Sequence, residues 1–234
     1  MRKKISYILK ILAVITSLGG VLLSMFFAQK HGYSHWSRRL LYFTTQSNVW
    51  IGLTLLIIVL LPIINKKNNT KFTNIMYLLK YLFTVSITIT GIVFCGLLAP
   101  FAQDNYDPWT FSSLCTHVFT PILTIVDFFI DEYEFNFKKR DILYTAIPPF
   151  IYFVFTSILF LFNVDFGRGD TFPYFFLNLG SPAGIFGFSD IMPYKIGTFY
   201  WLLLILCLVL SLGWLYARLH HSTLKKKKQQ KKTP

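Results

Sequence analysis

The residues best suited to chemistry in this sequence lie near the starts of two long apolar segments. Thr44 and Asn48 stand one helical turn apart in one segment, and His117 stands in another. A threonine hydroxyl is a weak nucleophile alone, but a neighbouring imidazole can accept its proton while it attacks an ester carbonyl. The side-chain amide of Asn48 or Gln46 can donate a hydrogen bond to the developing oxyanion. These residue types predict acyl transfer, with Thr44 as nucleophile and His117 as base.

Further polar residues share a helical face with His117. This polar stripe consists of Ser113, His117, Thr120 and Thr124, with Asp127 obliquely beside it. Polar side chains are costly in lipid, so they usually face a bundle interior and mark a site or a pathway. Structural roles are open as well, because membrane threonines bond back to their own backbone and a histidine can join two helices. Asp127 also fits an intramembrane proton or ion site.

Composition predicts the elements that position these residues. The chain has 234 residues, of which 54% are hydrophobic and 14% charged, and its mean hydropathy is +0.52. A membrane-spanning helix needs about 20 mostly apolar residues. Stretches of that length occupy 5–28, 39–64, 74–99, 112–130, 142–163 and 195–219. Because backbone polar groups in lipid must be satisfied within a helix or a closed barrel, we predict an all-α integral membrane bundle of six transmembrane helices in one domain.

Charge predicts the orientation of this bundle. Lysine and arginine are concentrated at the N-terminus, at 66–71, at 138–140 and in the basic tail 220–234, which all flank the same side of the six spans. Both termini are therefore expected to be cytoplasmic, in the cell membrane. These flanks explain most of the net charge of +13, so we expect lipid head groups rather than nucleic acid as partners. Thr44 and His117 are each the sixth residue of their predicted segments, which predicts a common depth near the outer face.

A resemblance to a known family rests on two short motifs. They are Tyr42-Phe43-Thr44-Thr45-Gln46-Ser47-Asn48, and His117 followed by Thr120-Pro121-Ile122-Leu123 and Asp127. With the order of six spans, the sequence resembles the androgen-induced membrane hydrolase family, whose animal members cleave fatty acid esters of hydroxy fatty acids, and its bacterial branch in particular. The resemblance implies a threonine nucleophile at Thr44, with Thr45 alongside, and a histidine base at His117. The run departs from the animal pattern at Gln46 and Ser47.

Together these features predict an intramembrane lipid-ester hydrolase that needs no metal or organic cofactor. Its substrate is expected to enter sideways from the outer leaflet. Two alternatives from other classes stay open: a transporter or binding protein for an ion or small solute, built on Asp127 and the polar stripe, and a non-catalytic membrane scaffold. The long segment 164–194, rich in glycine, proline and aromatic residues, predicts an interfacial element or a lid.

Overall fold

Six helices long and apolar enough to cross a membrane form the protein in the computed structural model, which describes residues 1–65, 69–101, 107–167 and 169–230. They are α1 (Arg2–Phe26), α2 (Phe43–Ile64), α3 (Thr70–Leu98), α4 (Phe111–Ile130), α5 (Lys139–Leu161) and α6 (Thr198–Gln230). The described chain contains no strand, apart from one isolated bridge between Phe188 and Ile196. The prediction of an all-helical fold with six helices long and apolar enough to cross a membrane is confirmed for the described residues. The charges that predict orientation include Lys66, Lys67, Arg168, Lys231 and Lys232, which lie outside the described residues.

Helix α3 is the central element of the bundle. In its most apolar stretch 61% of the residues are buried inside the protein, against 17% for α6, which lies at the periphery. Helices α1 to α4 pack against one another, and glycines let them approach closely. A Cβ atom added to Gly20 of α1 would lie 2.8 Å from the Cβ of Cys115 in α4, and one added to Gly52 of α2 would lie 2.5 Å from Ser17 Oγ in α1. Small residues at such contacts are how membrane helices gain close packing without a hydrophobic driving force.

The start of α2 differs from the prediction. Residues Trp36–Leu41 form a 3₁₀ turn, and Tyr42 is extended, with a ψ of 139°, so the α-helix begins only at Phe43. Thr44 is therefore the second residue of α2, whereas His117 is the seventh residue of α4. The prediction that Thr44 and His117 lie equally far from the starts of their helices is wrong, because hydropathy does not distinguish a 3₁₀ turn from the α-helix that follows it. The other span ends agree with the prediction within four residues, apart from the end of α6, which is expected at residue 219 and lies at Gln230.

The long segment before α6 folds over one end of the bundle. Near its start, Asp165 accepts hydrogen bonds from the backbone N–H groups of Gly167 at 2.7 Å and Gly169 at 2.9 Å. Both glycines have positive φ angles, of 116° and 87°, which other residues rarely adopt. Further on, a 3₁₀ turn at Phe175–Leu177 buries Phe176 and Leu177 against the helices. We call this end of the bundle, which also holds the starts of α2 and α4, the loop end.

Candidate functional site

Thr44 lies in the first turn of α2, directly under the loop. Its Oγ1 atom is 3.4 Å from the hydroxyl of Tyr174, and its backbone N–H donates to the same oxygen at 3.3 Å. The first N–H groups of a helix have no partner within the helix, so Tyr174 satisfies one of them, and the helix dipole adds positive potential there. Burial raises the pKa of Tyr174 above its ordinary value, although hydrogen bonds with Thr44 oppose the shift. The phenol therefore stays protonated: it can donate to Thr44, but it cannot act as a base.

The Thr44 side chain borders a small cavity of about 70 Å³ at the loop end. The walls come from α2, α3, α5, α6 and the loop, and they are mainly apolar. They consist of Phe43, Thr44, Ile89, Thr90, Val93, Leu98, Pro149, Tyr152, Phe153, Tyr174, Phe176, Leu177, Leu202 and Ile205. Thr90 and Tyr152 each donate their hydroxyl hydrogen to a main-chain carbonyl. Among the described residues, the Thr44 hydroxyl has only Tyr174 as a partner, so it is the wall hydroxyl most available to a ligand.

His117 lies in an irregular part of α4. Residues Cys115–Phe119 form a π-helical turn, and the His117 ring stacks at 3.7 Å on Phe94, which begins a second π-helical turn, Phe94–Leu98, at the end of α3. Turns of this kind occur often at functional sites. His117 Nδ1 is 2.9 Å from the carbonyl oxygen of Ser113. A carbonyl can only accept, so Nδ1 carries the proton of the neutral ring, and Nε2 keeps the lone pair that a base requires.

The structure brings Thr44 and His117 to neighbouring helices without joining them. Among the described residues no hydrogen bond links the two side chains, and no residue of α4 lines the cavity. The link is made by Asn48, whose side-chain nitrogen donates to the carbonyl of Thr44 at 2.8 Å and to that of Thr116 at 3.0 Å. Asn48 therefore joins the backbone of Thr44 to that of Thr116, the residue before His117, and does not bring the two predicted catalytic side chains together.

The supporting residues have other partners in this conformation. Both amide hydrogens of Asn48 are used by the bridge, so an oxyanion would have to replace one of these carbonyls, while the buried Asn48 Oδ1 has no partner among the described residues. Gln46 donates to the carbonyl of Leu40 at 3.1 Å. Thr45 is buried but is not among the residues that line the cavity. Of the residues proposed around the nucleophile, Thr44 is thus the one on the cavity wall.

The predicted polar stripe of α4 faces the bundle interior along its whole length. Ser113, Thr120, Thr124 and Asp127 are all buried, with Thr120, Thr124 and Asp127 fully so. The Thr120 hydroxyl donates to Thr16 of α1 at 2.9 Å, and Thr124 donates to the carbonyl of Thr120 at 2.7 Å. The hydroxyls of Thr120 and Thr124 therefore serve helix contacts, and the Ser113 hydroxyl lies 3.1 Å from His117 Nδ1. Asp127 belongs to a charged cluster.

That cluster lies at the opposite end of the bundle and consists of two lysines and two aspartates, which we call the charge quartet. Lys10 Nζ lies 2.8 Å from both Asp127 Oδ1 and Asp131 Oδ2, and Lys80 Nζ lies 2.6 Å from Asp127 Oδ2 and 2.5 Å from Asp131 Oδ2. Ser6 also donates to Asp127 at 2.6 Å. Burial by itself would raise the pKa of Asp131, but Lys80 and Lys10 outweigh it and hold that pKa below its usual range. The quartet is neutral overall and ties α1, α3 and the end of α4 together.

Sequence reasoning found one member of the quartet and missed its partners. The polar stripe predicts Asp127, whereas Lys10, Lys80 and Asp131 are not among the predicted site residues. The available signal was physical: a lysine and an aspartate inside apolar segments each require an opposite charge. Tyr174 gave no such signal, because its contact with Thr44 joins residues 130 positions apart in the chain.

Comparison of the chain with protein-family models, with curated proteins and with solved structures gives no match. The family resemblance of the two motifs therefore stays a prediction. The fold and the site define a class: a multi-pass helical membrane protein with an apolar cavity at one end, a threonine hydroxyl on its wall, and a neutral charge quartet at the other end.

Proposed function

We propose that the protein is an intramembrane hydrolase that cleaves a lipid ester, with Thr44 as nucleophile and His117 as base. The observation that carries the proposal is the position of the Thr44 hydroxyl on the wall of an apolar cavity, beside a protonated tyrosine and at the positive end of a helix. The apolar lining of this cavity suits an acyl chain. The excess of basic residues on the opposite side supports placing the loop end, and therefore the cavity, in the outer leaflet with both termini in the cytoplasm.

The reaction follows acyl-transfer chemistry. Thr44 Oγ1 attacks the ester carbonyl carbon while its proton passes to His117 Nε2, and the carbonyl oxygen becomes an oxyanion. The Tyr174 hydroxyl, and the Thr44 backbone N–H that donates to it before substrate binds, can donate to that oxyanion. The intermediate then expels the alcohol, which takes the proton from His117, and leaves an acyl-threonine. Water, deprotonated by His117, attacks the acyl carbon and releases the carboxylic acid and the Thr44 hydroxyl.

His117 must approach the cavity for this reaction to occur. Two π-helical turns lie at that point, one in α3 and one in α4, and each holds one ring of the His117–Phe94 stack. A π-helical turn contains one residue more than a regular turn, and returning to regular helix rotates the side chains that follow. We propose that substrate binding shifts these turns and moves the imidazole toward Thr44, since catalytic hydrogen bonds often tighten only when substrate is bound.

The test uses a fluorophosphonate probe on purified protein. Thr44→Val removes the hydroxyl at nearly constant volume, and Thr45→Val makes the same change at a neighbouring buried position off the cavity wall. Labelling and ester hydrolysis should be lost in Thr44→Val, kept in Thr45→Val, and reduced at least about a hundredfold in His117→Gln, as expected for loss of a general base. Equal labelling of Thr44→Val and the unmodified protein would remove Thr44 as nucleophile.

A second candidate function, transport of protons or small ions, is favoured by the charge quartet. Ionisable groups inside a membrane usually mark functional paths, and four of them meet here on three helices. This candidate predicts a pH-dependent flux in liposomes that is lost in Asp127→Asn and kept in Thr44→Val. The hydrolase predicts the reverse: ester cleavage lost in Thr44→Val, with no flux in any variant.

A further inference from the structure

A shallow groove runs along the membrane-facing surface between α3 and α6. Its lining is entirely apolar apart from one indole, and consists of Ile92, Val93, Gly96, Leu97, Trp201, Leu204, Ile205 and Leu208. Two of these residues, Val93 and Ile205, also line the cavity beside Thr44. The groove and the cavity therefore meet at a wall two side chains wide. Ile92 and Leu204, at 44% and 55% exposure, face outward on apolar spans, which is where lipid chains lie in a membrane.

Trp201 stands at this junction with an unused hydrogen-bond donor. Its ring packs edge-on against Phe175, in the loop that covers the cavity, at 5.5 Å between ring centroids. The indole N–H is buried and has no acceptor among the described residues. A buried donor without a partner is unfavourable, and in an apolar membrane no water is at hand to satisfy it. A ligand oxygen that reaches this position would remove that cost.

We propose that the groove between α3 and α6 is the lateral entrance through which an acyl chain of a membrane lipid reaches the cavity. Val93 and Ile205 form its gate, and the Trp201 N–H binds the ester carbonyl oxygen of the entering lipid. The occupant is a lipid chain because the groove is apolar, lies on a spanning surface and continues into the cavity. The role of the entrance, to admit substrate, rests on the proposed function, but the entry of an acyl chain can be measured without hydrolysis.

Gly96 supplies a variant that blocks the entrance without disturbing the helices. A Cβ atom added at Gly96 meets nothing within 4 Å, so a larger side chain there extends into the groove. Gly19 of α1 offers the matched control, because it too is a helical glycine with open space around an added Cβ, and it lies off the groove. Gly96→Leu and Gly19→Leu make the same chemical change, and both are expected to fold because glycine is a poor helix former.

The experiment uses protein in liposomes of phosphatidylcholine, a fraction of which carries a photoactivatable diazirine on one acyl chain. After illumination, labelled peptides are mapped by mass spectrometry. Leu98 and Leu202 report on the cavity, since they line it and do not line the groove, and Leu204 reports on the outer surface. We expect labelling of all three in the unmodified protein, at least a fivefold loss at the two cavity reporters in Gly96→Leu, and no change in Gly19→Leu.

Two further arms isolate the indole and the reaction. Trp201→Phe keeps the aromatic packing and removes the N–H, so cavity labelling by the ester lipid should fall about threefold to tenfold, the range for one hydrogen bond. Labelling by a diazirine alkane, which has no carbonyl, should not change. Thr44→Val should keep cavity labelling, so retained hydrolysis in that variant refutes the proposed function but not the entrance.

The entrance is refuted by any of three results. These are cavity labelling in Gly96→Leu equal to that in the unmodified protein, labelling confined to the outer surface of the unmodified protein, and crosslinks that show a second copy of the chain seated in the groove.

Discussion

Removing one lysine and one aspartate together from the quartet should destabilise the protein by less than the sum of the two single removals. The four groups are balanced, two positive and two negative, and all are at most 9% exposed. Asp127→Asn leaves two buried lysines around one carboxylate, and Lys80→Met leaves two carboxylates around one ammonium. Breaking a buried ion pair in this way costs about 3–5 kcal/mol, because a charge is left without compensation in a low-dielectric interior.

The double variant restores neutrality. With Asp127→Asn and Lys80→Met combined, Lys10 and Asp131 remain 2.8 Å apart and compensate each other. Two independent losses would sum to about 6–10 kcal/mol. Adjacent groups in one network are coupled by about 0.5–3 kcal/mol, and here the coupling should reach the upper part of that range. With a coupling of about 3 kcal/mol, the double variant should lose about 3–7 kcal/mol, clearly less than the sum of the two single losses.

The measurement is reversible unfolding by sodium dodecyl sulfate in mixed micelles, followed by circular dichroism for the four proteins of the cycle. Arg140→Gln is the control, because Arg140 is 64% exposed and only 3.9 Å from Asp141, a geometry worth at most about 1 kcal/mol. If the losses of the two single variants add to that of the double variant, the quartet is not an interacting network, and the reasoning from charge balance fails.

Two further predictions concern packing and pH. Gly20→Ala should destabilise the protein by about 1–3 kcal/mol, because its Cβ would lie 2.8 Å from that of Cys115. The Cβ of Gly19→Ala meets nothing within 4 Å, so this control should leave the stability unchanged or slightly raised. Unfolding in dodecyl sulfate compares the two variants, and equal stability would contradict the close α1–α4 contact. The lowered pKa of Asp131 means that the folded state binds fewer protons than the unfolded state, so its stabilisation is complete above about pH 4 and declines as the pH falls below that. Unfolding midpoints measured from pH 7 to pH 3 should be flat and then decrease, and the decrease should be smaller in Asp131→Asn.

Hydropathy was enough to predict the bundle. Six apolar stretches of spanning length became six helices because lipid leaves the backbone few ways to satisfy its hydrogen bonds. Local irregularities were not predictable in this way. The 3₁₀ turn at Trp36–Leu41 leads directly into the apolar start of α2, and the π-helical turns Phe94–Leu98 and Cys115–Phe119 lie within spans. Mean hydropathy does not distinguish such turns from regular α-helix.

The candidate site was likewise predictable only in part from the sequence. Residue type and helical spacing were sufficient to place Ser113, His117 and Asp127 on one buried face of α4. Contacts between distant segments were not accessible, because Tyr174 reaches Thr44 from a loop and Lys10 reaches Asp127 from the first helix. Charges within apolar helices must pair with opposite charges, so matching the lysines and aspartates of the spans would have predicted these contacts. An aromatic residue in an aromatic-rich loop has many acceptable positions.

The two ends of the bundle differ in a way that bears on how the site works. At one end the charge quartet joins α1, α3 and the end of α4 through four ion-pair contacts, all buried. At the loop end the same α3 and α4 contain π-helical turns, and an amide bridge from Asn48 holds α2 to α4. A rearrangement of α3 against α4 therefore meets far less resistance at the loop end, where His117 and Thr44 lie. In the proposed reaction, the quartet is the fixed end about which α3 and α4 rearrange as His117 approaches Thr44.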